Sequence, residues 1–267
     1  GTNKDFTGTL KVNDNNSLSI NNEDALGSSS VSLLDEDSSL IIQGVDGSIA
    51  ATLTGKGYVS LKTDSSGTNS NIKLTGDNSS FIGAFDILGA NTLTVSKQSE
   101  TGSADILIYT GGQLHFDSYN GGKQAELGND ISLGGNFKLT SSDILLSVGN
   151  TNLSDFTGSI TMDEGSKLTL KESDQLNSTI SIDISDVDSN LVIDATEDFM
   201  LSNDVTGTGS INVNTSGKAF DFGQNSTPNF SGSVNLGDTT FDLSGSNTTA
   251  LGNATLVTGE GSIVSVS

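Results

Sequence analysis

Phe156-Thr157-Gly158-Ser159-Ile160-Thr161-Met162 decides how this chain folds, because it is one of four copies. The others are Phe6-Thr7-Gly8-Thr9-Leu10-Lys11-Val12, Phe81-Ile82-Gly83-Ala84-Phe85-Asp86-Ile87 and Phe230-Ser231-Gly232-Ser233-Val234-Asn235-Leu236. The numbers of the anchor phenylalanines step almost evenly: 81−6=75, 156−81=75 and 230−156=74. Each copy runs from Phe-x-Gly into an apolar-polar-apolar triplet. Alternation of period two places both apolar side chains on one face of a strand. A fixed period in such a sequence predicts stacked units, each burying its apolar face against its neighbours.

Working outward, further triplets recur in step with the anchor. Val31/Leu33, Ile106/Ile108 and Ile182/Ile184 form one series, and Leu40/Ile42, Leu114/Phe116 and Leu191/Ile193 another. A third holds Ile72/Leu74, Leu146/Val148 and Phe220/Phe222. Turn residues separate the triplets, which return about every 8 to 12 residues, as in sandwiches, barrels and solenoids. Three strands of about eight residues give a coil of about 25, and three coils account for the period. The last copy supports the solenoid. Its step from anchor to the next Gly-x-Gly is 261−230=31, against 209−156=53 in the copy before. A solenoid survives the loss of one coil, because each coil meets only its neighbours. The expectation is an all-β, right-handed parallel β-helix of about ten coils with three strands per coil. Residues 1–267 form a single segment, and both ends cut into the repeat, as in a fragment of a longer protein.

Composition narrows the function. The 267 residues carry a net charge of −22, and all eleven basic residues are Lys. Without Arg or a basic stripe the chain is a poor partner for nucleic acid, and an anionic membrane surface would repel it. There is no Cys, so no disulfide or thiolate metal site enters the argument. No apolar run of about 18 residues or more offers a bilayer span.

Chemistry is sparse. The sole histidine, His115, is the polar middle of Leu114-His115-Phe116 and is expected to face outward, without the partners of a catalytic triad. Tyr109 and Tyr119 lie near it in sequence and suggest a small binding patch. Ile41 in Leu40-Ile41-Ile42 and Val192 in Leu191-Val192-Ile193 are apolar where an outward polar residue is expected. They occupy the same place in the repeat as His115, so Ile41, Tyr109, His115, Tyr119 and Val192 are read as a contact face. Asp183, Asp186 and Asp188 are the candidate cation ligands, with Ca²⁺ adventitious at most. No cofactor is implied. A polysaccharide-degrading β-helix would need converging carboxylates at a set separation, and no motif here requires them. The chain is therefore expected not to be an enzyme.

The Phe-x-Gly anchors and Gly-x-Gly entries, such as Asp155-Phe156-Thr157-Gly158 running on to Gly165-Ser166-Lys167-Leu168-Thr169-Leu170, resemble passenger domains of bacterial autotransporter adhesins, of the antigen 43-like self-associating type. The resemblance implies a right-handed parallel β-helix and secretion through a C-terminal outer-membrane barrel that this sequence lacks. It implies display on the Gram-negative cell surface. The implied function is aggregation, biofilm formation or host attachment, with the same molecule on neighbouring cells or a host glycan or matrix protein as partner. A glycan- or matrix-binding module with a local groove is the alternative, with a β-helical polysaccharide-degrading enzyme behind it.

Overall fold

The computed structural model of the chain describes residues 3–146, 152–223, 229–243 and 251–266. Val148, read above as a core residue, lies outside them. The fold is all-β with 4% helix, a β-solenoid of about 11 turns built from parallel sheets. The described strands are two to five residues long, and every described pairing of neighbours is parallel. No helix among the described residues is long and apolar enough to cross a membrane. The chain divides into two compact units: residues up to Gly121 with Gly128–Phe137, and Gly122–Leu127 with the chain from Lys138 on.

In the first unit a six-stranded sheet stacks Leu18, Leu40, Val59, Phe85, Ile106 and Ile131 in register. A second column two positions on holds Ile20, Ile42, Leu61, Ile87 and Ile108. From Leu40 to Ile131 the first column is at most 1% exposed. Strands of this unit also form a three-stranded sheet, with Leu10, Val31 and Leu53 in line, and a further sheet with Ile72, Leu93 and Leu114 in line. The second unit repeats the principle. Its seven-stranded sheet stacks Ile144, Leu168, Leu191, Ile211, Val234 and Leu256. A four-stranded sheet lines up Phe199, Phe220 and Phe241, with ring centroids 6.4 and 6.0 Å apart. Like side chains stacked at the strand spacing of about 4.8 Å form the core.

The coil is shorter than the sequence suggests. Five turns carry the first column from Leu18 to Ile131, a step of 131−18=113 in numbering, and five carry the other from Ile144 to Leu256, a step of 256−144=112. On average a turn therefore advances the chain by 22 or 23 positions, fewer than expected, because strands of four or five need only short corners. One repeat then makes three turns and a third. Successive anchors consequently open strands on successive sheets. In the first unit, the strand after Phe6 (Thr9–Val12) joins the three-stranded sheet, and the strand after Phe81 (Ala84–Ile87) joins the six-stranded one. In the second, the strand after Phe156 (Ser159–Asp163) pairs with Ser181–Ile184, and the strand after Phe230 (Ser233–Leu236) joins the seven-stranded sheet. Within each unit, residues equivalent in the repeat are therefore not stacked in space. The shortened last copy fits the same count, since its deficit, 53−31=22, is one turn.

The anchor glycines have a steric cause. A Cβ on Gly83 would collide with the Gly57 carbonyl oxygen one turn away, and one on Gly232 with that of Gly209. At the same places Ala84 N–H donates to Gly57 O and Ser233 N–H to Gly209 O, each at 3.1 Å. The phenylalanines preceding them, Phe81, Phe156 and Phe230, are completely buried. Corners close with asparagine amides: Asn78 Oδ1 accepts from Leu53 N–H at 2.7 Å while its Nδ2 donates to Glu100 O at 2.6 Å.

Candidate functional site

Within the first unit, the expected contact residues do not share one face. In the first unit, Ile41 projects from the six-stranded sheet between Ser19 and Ser60, half-buried. His115 stands beside Thr94 in a different sheet. Tyr109 follows the strand Asp105–Ile108 and is exposed. Tyr119 is not a surface residue at all. Its ring is fully buried, edge-on to Phe116 at 4.6 Å, and its hydroxyl donates to Gln98 Oε1 at 2.7 Å. Left-handed backbone at Ser118 (φ 49°) and Asn120 (φ 50°) turns the intervening side chain inward. Val192 belongs to the second unit, on the outer face of the seven-stranded sheet. A shared place in the repeat predicts a shared face, but the fractional turn sends such places to different sheets.

Nor do the three aspartates converge. Asp183 accepts hydrogen bonds from Ser185 Oγ at 2.8 Å and Thr206 Oγ1 at 3.3 Å. Asp186 Oδ1 caps its own turn by accepting from Asp188 N–H at 2.8 Å. Among the described residues no group of three or more metal-ligating side chains comes together. Asp183 thus ties its strand to the next turn, and Asp186 serves its own corner.

What the structure does assemble lies around Val192. The outer face of the seven-stranded sheet carries a groove of about 530 Å³ within the second unit. Its floor is one outward column in register: Thr169, Val192, Asn212 and Asn235. Asp194 and Asn214, paired two positions further along their strands, form one wall, and Gly237 beyond them adds no side chain. Gln124 and Lys167 border it too.

The asparagines form a chain of amides. Asn235 Nδ2 donates to Asn212 Oδ1 at 2.6 Å, and Asn212 Nδ2 donates to Asn190 Oδ1 at 2.8 Å. Linked amides polarise one another and hold each other's orientation. The charged groups at the groove are paired: Lys167 with Asp143 at 3.7 Å, and Asp194 with Lys171 at 4.0 Å. Thr169 points outward yet is only 3% exposed, and its Oγ1 is buried without a hydrogen-bond partner among the described residues. An unpaired buried hydroxyl is unusual and costly. Such a surface has aligned donors and acceptors beside one outward valine, and it suits non-covalent recognition.

Sequence reasoning finds Val192 and misses Asn212, Asn235 and Thr169. The available signal is the middle residue of Ile211-Asn212-Val213 and Val234-Asn235-Leu236, one turn apart since 235−212=23.

No protein-family model matches the chain, and no solved structure matches it. It is 29% identical over 277 residues to the uncharacterized protein YuaQ of Escherichia coli (strain K12), covering 85% of this chain and 20% of that protein. It is 28% identical over 107 residues to the uncharacterized lipoprotein YdeK of the same strain, covering 40% of this chain and 8% of YdeK. The chain thus spans about a fifth or less of the curated relatives it matches.

Proposed function

We propose that this solenoid is an adhesive segment of a bacterial cell-surface protein, acting by non-covalent contacts in aggregation, biofilm formation or host attachment. The observation that carries this reading is the amide chain Asn190–Asn212–Asn235, whose last two members face the open groove. Stacked turns present hydrogen-bonding side chains at a regular spacing, so weak contacts add along the sheet. The resemblance of the Phe-x-Gly repeat to autotransporter passengers supports it. The name of YdeK, a lipoprotein, supports a place in the cell envelope. The engagement of Lys167 by Asp143 and of Asp194 by Lys171 favours recognition over acid–base chemistry, which requires a group that can give or take a proton.

The test is display. The chain is fused to a surface anchor on a non-aggregating E. coli strain, and settling and binding to glycan- and matrix-coated wells are measured. Cells bearing it are expected to clump or to adhere above anchor-only cells. Behaviour identical to anchor-only cells in every assay would overturn the proposal.

A further inference from the structure

We propose that the groove over Thr169, Val192, Asn212 and Asn235 is a subsite for a neutral, extended oligosaccharide. This inference rests on the adhesive reading above and specifies its ligand. Three features of the groove select that chemistry.

The first is hydrogen-bonding character. A sugar hydroxyl is at once donor and acceptor, and so is a carboxamide, which offers an oxygen and two N–H groups. The groove places Asn212 and Asn235 on its floor with Asn214 on its wall. The amide chain back to Asn190 fixes which atom of each faces which way. Prior ordering of this kind lowers the entropy cost of binding.

The second is charge. The chain carries −22, which repels polyanions such as sulfated or uronic-acid glycans. The cation at the groove, Lys167, is engaged by Asp143, and the anion, Asp194, by Lys171. A charge-balanced groove in an acidic protein favours a ligand without formal charge.

The third is shape. The floor runs across the strands, four rungs deep. Three steps of about 4.8 Å make it about 14 Å long, room for a short linear chain of sugars. Val192 lies mid-floor, and its methyl groups offer an apolar rest for the C–H face of a pyranose ring. Gly237 leaves one flank open, so the chain can continue past the groove.

The experiment is calorimetric titration of the purified chain with cellotetraose, chitotetraose, mannotetraose, maltotetraose and a heparin tetrasaccharide, each to millimolar concentration. At least one neutral tetrasaccharide is expected to bind saturably and more tightly than its monosaccharide. V192E and N235A are each expected to weaken it at least tenfold. The matching outward substitution I41E, on a sheet of the first unit, is expected to change it less than twofold. Circular dichroism melts of each variant confirm the fold. The proposal is overturned if no neutral tetrasaccharide binds, if only the heparin fragment binds, or if V192E and N235A bind as well as wild type. Loss of cell clumping in V192E without any sugar binding would also overturn it, while leaving the adhesive reading standing with a second copy as occupant.

Discussion

At the scale of single residues, the anchor glycine, a buried phenol and a half-buried carboxylate make separate predictions. Gly83 has no room for a methyl group, because the carbonyl of Gly57 lies where Cβ would go. Gly83→Ala is expected to lower stability by about 1–3 kcal/mol, the usual cost of overpacking, as a fall in the urea midpoint. Tyr119 is held by burial and by Gln98, and burial pushes its phenol above the ordinary range, with the charge of Glu100 acting in the same direction. Tyr119→Phe leaves Gln98 Oε1 without that donor and is expected to cost about 1–3 kcal/mol. In the folded chain Tyr119 keeps its proton where the unfolded chain, at about pH 10, begins to lose it. Stability from this group is complete below that pH and falls as pH rises further. Asp86 illustrates the same sign for a carboxyl. Burial raises it, against the lowering effects of Ser60 and Lys62. The folded state then holds the proton longer than the unfolded one. Its contribution is greatest in acid and is lost as pH rises through the window above the ordinary carboxylate value. Asp86→Asn is expected to raise the denaturation midpoint at neutral pH and to make little difference in acid, below the ordinary carboxylate range.

At the scale of the strand and sheet, the two sides of one ladder answer differently to substitution. Phe220 lies between Phe199 and Phe241 and against Phe222 at 5.0 Å, wholly inside. Phe220→Ala is expected to cost about 3–5 kcal/mol. Because each turn meets only its neighbours, the loss should first release amide protection in the strands Phe199–Leu201, Ala219–Phe222 and Thr240–Asp242. Hydrogen exchange by mass spectrometry checks this, and uniform loss across the chain would contradict it. Val192→Glu, on the outer face, is expected to shift stability by no more than about 0.5 kcal/mol. This inside–outside division was legible in the sequence, since an apolar-polar-apolar triplet leaves a short strand little choice of face. Leu191, Ile193, Ile211 and Val213 could be assigned inward from pattern alone. Tyr119 could not, because its inward direction depends on left-handed backbone at Ser118 and Asn120, which no periodicity announces. Asn212 and Asn235 escape notice because two ordinary polar residues gain meaning only once they are known to be vertical neighbours.

At the scale of the whole molecule, charge governs how copies meet. With eleven lysines against thirty-three acidic residues, two copies brought face to face repel. Screening shortens the reach of that repulsion from about 10 Å at 0.1 M salt to about 3 Å at 1 M. Clumping of cells displaying the chain is therefore expected to strengthen with added sodium chloride, read as settling rate. A rate that fell with salt would point to attraction between opposite charges and against association of like copies. Solenoid architecture was legible from the near-constant steps between Phe6, Phe81, Phe156 and Phe230. The length of a turn was not, because the same period fits three long turns or three and a third short ones. Only the pairing register, such as Leu18 opposite Leu40 and Ile144 opposite Leu168, chooses between them.

That leftover third has a bearing on how such a protein can change over generations. Copying one whole block of the repeat carries each of its side chains to a different flank. Duplication alone therefore cannot build a strip of identical residues along one side. Asn212 and Asn235 stand in line because they lie in neighbouring turns, not in neighbouring copies of the block. A block copied whole thus keeps its interior pattern while its outward residues meet new neighbours on each flank.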